Sequence, residues 1–129
     1  MSNENLMKTL LFNDQGMIPC IIANVEDNRP LTLCYMTREA LEKTLETGKV
    51  HVFRRSLGRL MLKGETSGHI QEVKRVFIDC EGKSLLMLIK QHVAGCHQGY
   101  MSCYFREYDV ARDDFTVAEK KVFDPETAY

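Results

Sequence analysis

MIPCIIANV at Met17–Val25 and LTLCYM at Leu31–Met36 are the two stretches that decide the fold of this chain. Both are apolar and of strand length, and Pro19 is tolerated because it lies near the start of the first. The intervening Glu26–Pro30 is rich in turn-forming residues. The pattern therefore predicts two strands joined as a β-hairpin.

The segment after the hairpin predicts the one clear helix. Thr37 can cap its N-terminus through the hydroxyl group, and Gly48 is a plausible residue to end it. Between them, four residues recur at helical spacing and define one face: Ala40, Leu41, Thr44 and Leu45. Residues 5–12 are expected to form either a short helix or an extended arm.

Further strands complete a β-rich α+β domain with one main helix. They are predicted at Val50–Arg55, Arg59–Lys63, Glu72–Asp79, Ser84–Gln91 (buried on both faces) and Ser102–Tyr108. The whole chain, 1–129, is interpreted as a single domain with a core at about 16–108 and a tail at 109–129. The tail mixes charged and apolar residues and is expected to pack on the body or on a partner subunit.

Composition excludes several classes of protein. The net charge is −1 without a basic stripe, which argues against nucleic-acid binding. The apolar runs are shorter than the roughly 18 residues that a membrane span needs, and the N-terminal residues lack a signal pattern, so a cytoplasmic protein is expected. The five cysteines are an odd number, which favours metal binding or catalysis over a complete disulfide framework.

Three cysteines are candidate metal ligands. Cys96 and Cys103 are the ends of CHQGYMSC, and Cys80 lies in DCEG. Thiolates are ligands that zinc prefers, and three of them with one open position would make a catalytic site. The alternative is that all three are small buried hydrophobic residues. Cys20 and Cys34 lie inside apolar strands and are interpreted in that second way.

The loop Lys63–Gln71, KGETSGHIQ, predicts a binding segment between two strands. Backbone N–H groups of such a glycine-containing loop can hold a phosphate, helped by a lysine and hydroxyl groups. Its alternative interpretation is a solvated hairpin loop. The expected substrate-binding residues are Arg55, Lys63, Gly64, Glu65, Thr66, Ser67 and Gly68.

Two carboxylates flank the first of the candidate zinc ligands. Asp79 and Glu81 would share one face if Cys80 lay in an extended segment, and such a pair can hold a hard cation such as magnesium. A turn that leads through Gly82 into the next strand is the equal alternative.

Taken together, these segments resemble the phosphoribosyl-AMP cyclohydrolase family of histidine biosynthesis. The resemblance covers about residues 16–106. The shared motifs are Gly16–Pro19, Tyr35-Met36, Glu39–Leu41, Thr47-Gly48, Lys63–Gly68, Gln71, Asp79-Cys80, Cys96-His97, Gly99 and Ser102-Cys103.

The resemblance implies a hydrolase that opens the N1–C6 bond of the adenine ring in phosphoribosyl-AMP. It also implies an intertwined homodimer whose zinc is bound by Cys80 of one subunit and by Cys96 and Cys103 of the other. Zinc would lower the pKa of its water, and His97 would exchange protons as the main acid–base residue. His69 is the second candidate for proton transfer.

Some positions depart from the family pattern. The family usually carries three alternating aspartates as a magnesium site, whereas this chain has Asp79, Glu81 and Lys83. A protonated lysine cannot bind a cation, which weakens the case for magnesium. Leu57 and Met101 also replace residues expected on the substrate side. The alternatives are therefore a paralogue that hydrolyses another purine-like or cyclic amidine substrate, and a non-catalytic zinc-binding dimer.

Overall fold

The computed structural model describes residues 3–54, 56–65, 67–93, 96 and 98–123. Within these residues the elements are α1 (Glu4–Thr9), β1 (Met17–Asn24), β2 (Pro30–Thr37), α2 (Arg38–Thr47), β3 (His51–Arg54), β4 (Arg59–Leu62), β5 (Gln71–Ile78), β6 (Leu85–Gln91), β7 (Arg106–Asp109) and β8 (Asp114–Val117). The predicted β-rich α+β class with one main helix is confirmed.

A four-stranded sheet in the order β2-β1-β6-β5 organises the domain. The predicted hairpin is confirmed, because β1 pairs antiparallel with β2, with Cys20 opposite Cys34. On its other side β1 runs parallel to β6, which in turn pairs antiparallel with β5. As predicted, β6 is well buried, since it has neighbours on both edges and only Lys90 of its residues is exposed.

One face of the sheet and helix α2 enclose the hydrophobic core. The Thr37 hydroxyl accepts a hydrogen bond from the N–H of Ala40 at 3.1 Å, and Gly48 ends the helix with a φ of +76°, as the sequence predicts. The helix contacts β2, β3 and β4. Fully buried residues of the core include Ile18, Cys20, Ile22, Leu31, Met36, Ala40, Leu41, Met87 and Ile89.

The opposite face of the sheet carries an apolar row. Leu33, Ile21, Leu86 and Phe77 are neighbours in register across all four strands, so they lie on one face. Leu33 is 45%, Ile21 42% and Phe77 39% exposed. A row of large hydrophobic side chains across a whole sheet is typical of an interaction surface.

The C-terminal part differs from the prediction. A strand was expected at Ser102–Tyr108, but β7 begins only at Arg106 and pairs with β8, which the sequence did not predict. The residues expected to begin this strand are bonded to β2 instead, because the Cys103 N–H donates to the carbonyl of Leu31 at 2.7 Å. Hydrogen bonds to the edge of β2 thus replace strand pairing there. No helix among the described residues is long and apolar enough to cross a membrane.

Candidate metal and substrate site

The structure builds a tight turn around the sulfur of Cys96. The Cys96 N–H donates to the Tyr100 carbonyl, and the Gly99 N–H donates to the Cys96 carbonyl, both at 3.1 Å. The Gln98 N–H also points at the Cys96 sulfur, at 3.4 Å. N–H groups directed at a sulfur stabilise the thiolate form, which is the form that binds a metal.

Cys103 lies against this turn. Its sulfur is close enough to that of Cys96 to affect the ionisation of Cys96, although seven positions separate the two in sequence. Burial is the main cause that raises the pKa of the Cys96 thiol, and the neighbouring Cys103 sulfur adds to it. Bringing a second sulfur next to a buried thiol is an arrangement that suits two ligands of one metal cation.

Hydrogen bonds to β2 fix the position of Cys103. Besides the Cys103 N–H bond to Leu31, the Ser102 hydroxyl donates to the Pro30 carbonyl at 2.7 Å and accepts from the Tyr104 N–H at 2.9 Å. The side of Cys103 toward solvent is open, since this residue is exposed while Cys96 is 4% exposed. In this pair, Cys96 is therefore buried in the protein and Cys103 is accessible to water.

Cys80 lies apart from this pair. It is exposed in the turn between β5 and β6. Among the described residues, no group of three or more His, Cys, Asp and Glu side chains is arranged to hold a metal ion. One chain therefore does not bring Cys80 together with Cys96 and Cys103.

The carboxylate of Asp79 is used within its own turn. One oxygen accepts the N–H groups of Glu81 at 3.1 Å and Lys83 at 2.8 Å, and the other accepts the Ser84 hydroxyl at 2.7 Å. These bonds, with the Ser84 bond first, lower the pKa of Asp79. Glu81 pairs with the Lys83 ammonium at 3.3 Å. The segment is a turn rather than an extended strand, so these residues do not fit a magnesium site.

The glycine-containing loop between β4 and β5 folds back on itself. Gly64 has a φ of +85°, and a Cβ there would lie 2.5 Å from the backbone of His69, so glycine is required. The N–H of Gly68 donates to the Gly64 carbonyl at 2.7 Å, and that of Glu65 to the Leu62 carbonyl at 3.1 Å. These two N–H groups are already bonded and do not face a phosphate.

Side chains of the same loop point to several partners. The Ser67 hydroxyl accepts the His69 N–H at 3.2 Å, and Glu65 pairs with Arg59 of β4 at 3.3 Å. Lys63 is half-buried at the start of the loop. Of the predicted substrate residues, Arg55 and Thr66 lie outside the described residues.

His69 is the candidate acid–base residue that the structure describes, since His97 lies outside the described residues. His69 is 8% exposed, and this burial lowers the pKa of its imidazole. Its ring meets the Phe123 ring edge to face at a centroid distance of 4.7 Å. A buried, neutral imidazole is able to accept a proton.

A C-terminal strap, residues 118–123, connects His69 with the cysteine turn. The Val122 N–H donates to the Gly99 carbonyl at 2.7 Å, and a Cβ on Gly99 would lie 2.7 Å from the Phe123 carbonyl oxygen. Glu119 accepts the Ser102 N–H at 3.2 Å and forms an ion pair with Arg29. The strap therefore contacts both sides of the candidate site.

Sequence reasoning did not identify Glu119 or Phe123 as site residues. The only signal was the presence of apolar residues in a charged tail, which predicts packing but does not say where. Their contacts depend on the path of the chain after β8, and local periodicity does not encode that path.

The sequence profile of the family described as phosphoribosyl-AMP cyclohydrolase matches residues 32–105. The phosphoribosyl-AMP cyclohydrolase of Pelotomaculum thermopropionicum is 44% identical over 124 residues, 95% of each chain. That of Methanothermobacter thermautotrophicus is 44% identical over 119 residues, 91% of this chain and 85% of its own. The histidine biosynthesis bifunctional protein HisIE of Thermoanaerobacter pseudethanolicus is 44% identical over 126 residues, 98% of this chain and 57% of that protein.

Proposed function

Since this chain belongs to the phosphoribosyl-AMP cyclohydrolase family, we propose that it opens the N1–C6 bond of the adenine ring in phosphoribosyl-AMP by hydrolysis, with zinc as its cofactor. The observation that carries the proposal is the thiol pair of Cys96 and Cys103, which lies inside the matched residues. The reaction belongs to histidine biosynthesis.

The donor set fits zinc. Cys96 and Cys103 would hold the ion, and Cys80 of a second subunit would be the third ligand. The Gln98 N–H directed at the Cys96 sulfur suits a thiolate that keeps part of its negative charge. When bound, zinc supplies the Lewis acidity that makes water a usable nucleophile near neutral pH.

Two histidines are proposed to handle the protons. An imidazole nitrogen of His97, adjacent to Cys96 in sequence, takes a proton from the attacking water and returns it to N1 of the purine as the N1–C6 bond breaks. His69 is proposed as a second proton acceptor or as a purine contact. Its lowered pKa supports the first role, because the ring is then neutral at the pH of the reaction.

The substrate phosphate is proposed to bind at the loop after β4. Lys63 and Arg55 supply positive charge, and Thr66 and Ser67 supply hydroxyl groups. Gly64, Glu65 and Gly68 have a different role, because their backbone conformation and internal bonds give the loop its shape. The C-terminal strap would exclude water from the side of His69.

A homodimer is proposed because it supplies both a cover for the apolar row and the third zinc ligand. Phe77 of the row lies three residues before Cys80 on the same strand and turn. A second copy seated on the row would therefore come close to the exposed Cys80. Ile21→Asp should give a monomer by sedimentation velocity and lower the zinc content, whereas Val110→Asp, at a position 83% exposed and outside the row, should change neither. A zinc-loaded Ile21→Asp dimer would contradict this assignment.

The function is tested by an absorbance assay of phosphoribosyl-AMP hydrolysis with zinc-loaded protein, with and without added magnesium. Turnover should be independent of magnesium, because the Asp79 and Glu81 carboxylates are already engaged. Cys96→Ser should lose both zinc and turnover, while Cys34→Ser should keep both. If zinc-loaded protein hydrolyses a different cyclic amidine nucleotide instead, the assignment of phosphoribosyl-AMP as the substrate is wrong. If it binds zinc but hydrolyses neither compound, the proposed enzymatic function is wrong.

A further inference from the structure

Two cysteines outside the candidate zinc set face each other across the hairpin. Cys20 of β1 and Cys34 of β2 are directly opposite partners of an antiparallel pair, and both are free. Directly opposite residues have Cα atoms about 4.5 or 5.5 Å apart. A disulfide needs a Cα separation of about 4.4–6.8 Å, so both of these Cα separations fall in its range, and closing the bond requires the two Cβ atoms to move slightly together. Directly opposite side chains also lie on the same face of the sheet.

The two sulfur atoms differ in access and in chemistry. Cys20 is fully buried in the core, whereas Cys34 is half-buried. The interaction between the two side chains lowers the pKa of Cys34 and raises that of Cys20, and the Cys20 thiol itself donates to the Ile21 carbonyl at 3.8 Å. The ammonium group of Lys63 lowers the pKa of Cys34 further. Cys34 is therefore the attacking sulfur and Cys20 the resolving one.

We propose that Cys20 and Cys34 are an oxidisable dithiol, a modification site that a small peroxide converts into a disulfide across the β1–β2 hairpin. The site is separate from the zinc ligands Cys80, Cys96 and Cys103, and it does not depend on the proposed activity. A peroxide is the oxidant that fits, because only a small molecule reaches a half-buried sulfur next to a packed core.

The chemistry is balanced in two steps. The Cys34 thiolate attacks one oxygen of hydrogen peroxide, the O–O bond breaks, and hydroxide leaves with a proton to give water and a sulfenic acid. The Cys20 sulfur then attacks the sulfenic sulfur, the S–O bond breaks, and a second water leaves with the thiol proton. Overall two thiols and one hydrogen peroxide become one disulfide and two water molecules.

Peptide mapping of the zinc-loaded full chain tests this directly. Trypsin cuts after Lys8 and Arg38 but resists the Arg29–Pro30 bond, so one peptide, residues 9–38, contains both cysteines and no others. After treatment with one equivalent of peroxide and alkylation, this peptide should be lighter by two hydrogen atoms and carry no label. A second cut after Glu26 should give two fragments that separate only on reduction.

Variants separate the two roles. In Cys20→Ser the Cys34 sulfenic acid should persist and be trapped by dimedone. Cys34→Ser should leave Cys20 unmodified, and the rate of oxidation measured in peptide 9–38 should fall more than tenfold. Zinc content should stay unchanged in wild type during the reaction. The proposal is overturned if both cysteines of wild-type peptide 9–38 remain alkylated while Cys80, Cys96 or Cys103 is oxidised, or if either cysteine forms a disulfide with one of those three.

Discussion

The central sheet and the C-terminal region from Cys96 to Phe123 are held in place by different interactions. In the sheet, strands in continuous register bury large side chains such as Ile22, Met87 and Ile89 completely. In the C-terminal region the hairpin of β7 and β8 is largely exposed, and discrete hydrogen bonds at Gly99 and Ser102 attach the chain. The fold therefore depends on apolar burial, and the site depends on a few polar contacts.

This difference has an energetic consequence. Burial of a large apolar side chain stabilises the folded state by about 1.5–3 kcal/mol, whereas a single hydrogen bond contributes about 0.5–1.5 kcal/mol net. We therefore expect the sheet to fold without metal, and the C-terminal region to gain order when its thiols bind a cation. The following changes test this contrast.

The largest effect is expected in the core. Ile22→Ala removes a fully buried core side chain of β1, in register with Met87 of β6, and should lower the free energy of unfolding by about 2–5 kcal/mol. Urea denaturation measures it, with and without zinc, and the loss should be the same in both. Val110→Ala, at a position 83% exposed, is the control and should change stability by less than about 0.5 kcal/mol. Equal losses of unfolding free energy in the two variants would contradict the view that apolar burial in the sheet stabilises the fold.

Gly99→Ala should have the next largest effect and should act on the C-terminal region. Gly99 has a φ of +102°, and an added Cβ would lie 2.7 Å from the carbonyl oxygen of Phe123. We expect a local cost of about 1–3 kcal/mol, seen as faster hydrogen exchange at the Val122 N–H with little change in the sheet. Gly58→Ala is matched, since its φ is also positive but nothing lies within 4 Å. Faster exchange in the sheet instead would show that the two regions unfold together.

Glu119→Gln should have a smaller effect. The change removes the ion pair with Arg29 but keeps an oxygen that can accept the Ser102 N–H. The Glu119 side chain is 13% exposed and that of Arg29 39%, so we expect a loss of about 1 kcal/mol in stability, reduced by salt. Thermal unfolding at low and high salt measures it. The exposed Glu107→Gln is the control, and an equal, salt-independent loss in both variants would contradict the role of the ion pair.

The smallest effect is a pH dependence at His69. Burial lowers its pKa in the folded state, so below the unfolded value of about 6.5 the unfolded chain binds more protons than the folded one. Stability should therefore fall as the pH falls from about 6.5 to the folded pKa and then level off. His69→Gln should remove this contribution from the difference in the free energy of unfolding between pH 7 and pH 5. If stability depends on pH in that variant as it does in wild type, His69 does not cause the loss of stability at low pH.

The sequence predicts the sheet region better than the site region, for a physical reason. Alternation and apolar runs report burial, so the hairpin of β1 and β2, the cap at Thr37 and the helix end at Gly48 could be recognised directly. The strand expected at Ser102 was wrong because hydrogen bonds to Pro30 and Leu31, about 70 residues earlier, decide that segment.

The sequence singled out the cysteines of the candidate site but not the geometry around them. Residue types and spacing singled out Cys96 and Cys103, and the structure brings their thiols together. The interpretation of Asp79 and Glu81 as cation ligands depended on an extended backbone, whereas the Asp79 side chain itself stabilises a turn. Short polar side chains that bond to nearby N–H groups decide such segments, and hydrophobic patterns do not report them.

We propose that the Cys96–Cys103 pair forms a zinc site that a second subunit completes with Cys80. Zinc content of a purified mixed dimer, one chain carrying Cys80→Ser and the other Cys96→Ser, tests it most directly. Each variant alone should bind no zinc. If the site is shared, the mixed dimer holds one intact set of three cysteines and should bind one zinc ion, with turnover restored. If each site were built within one chain, both sites would be broken, and a mixed dimer without zinc would contradict the claim.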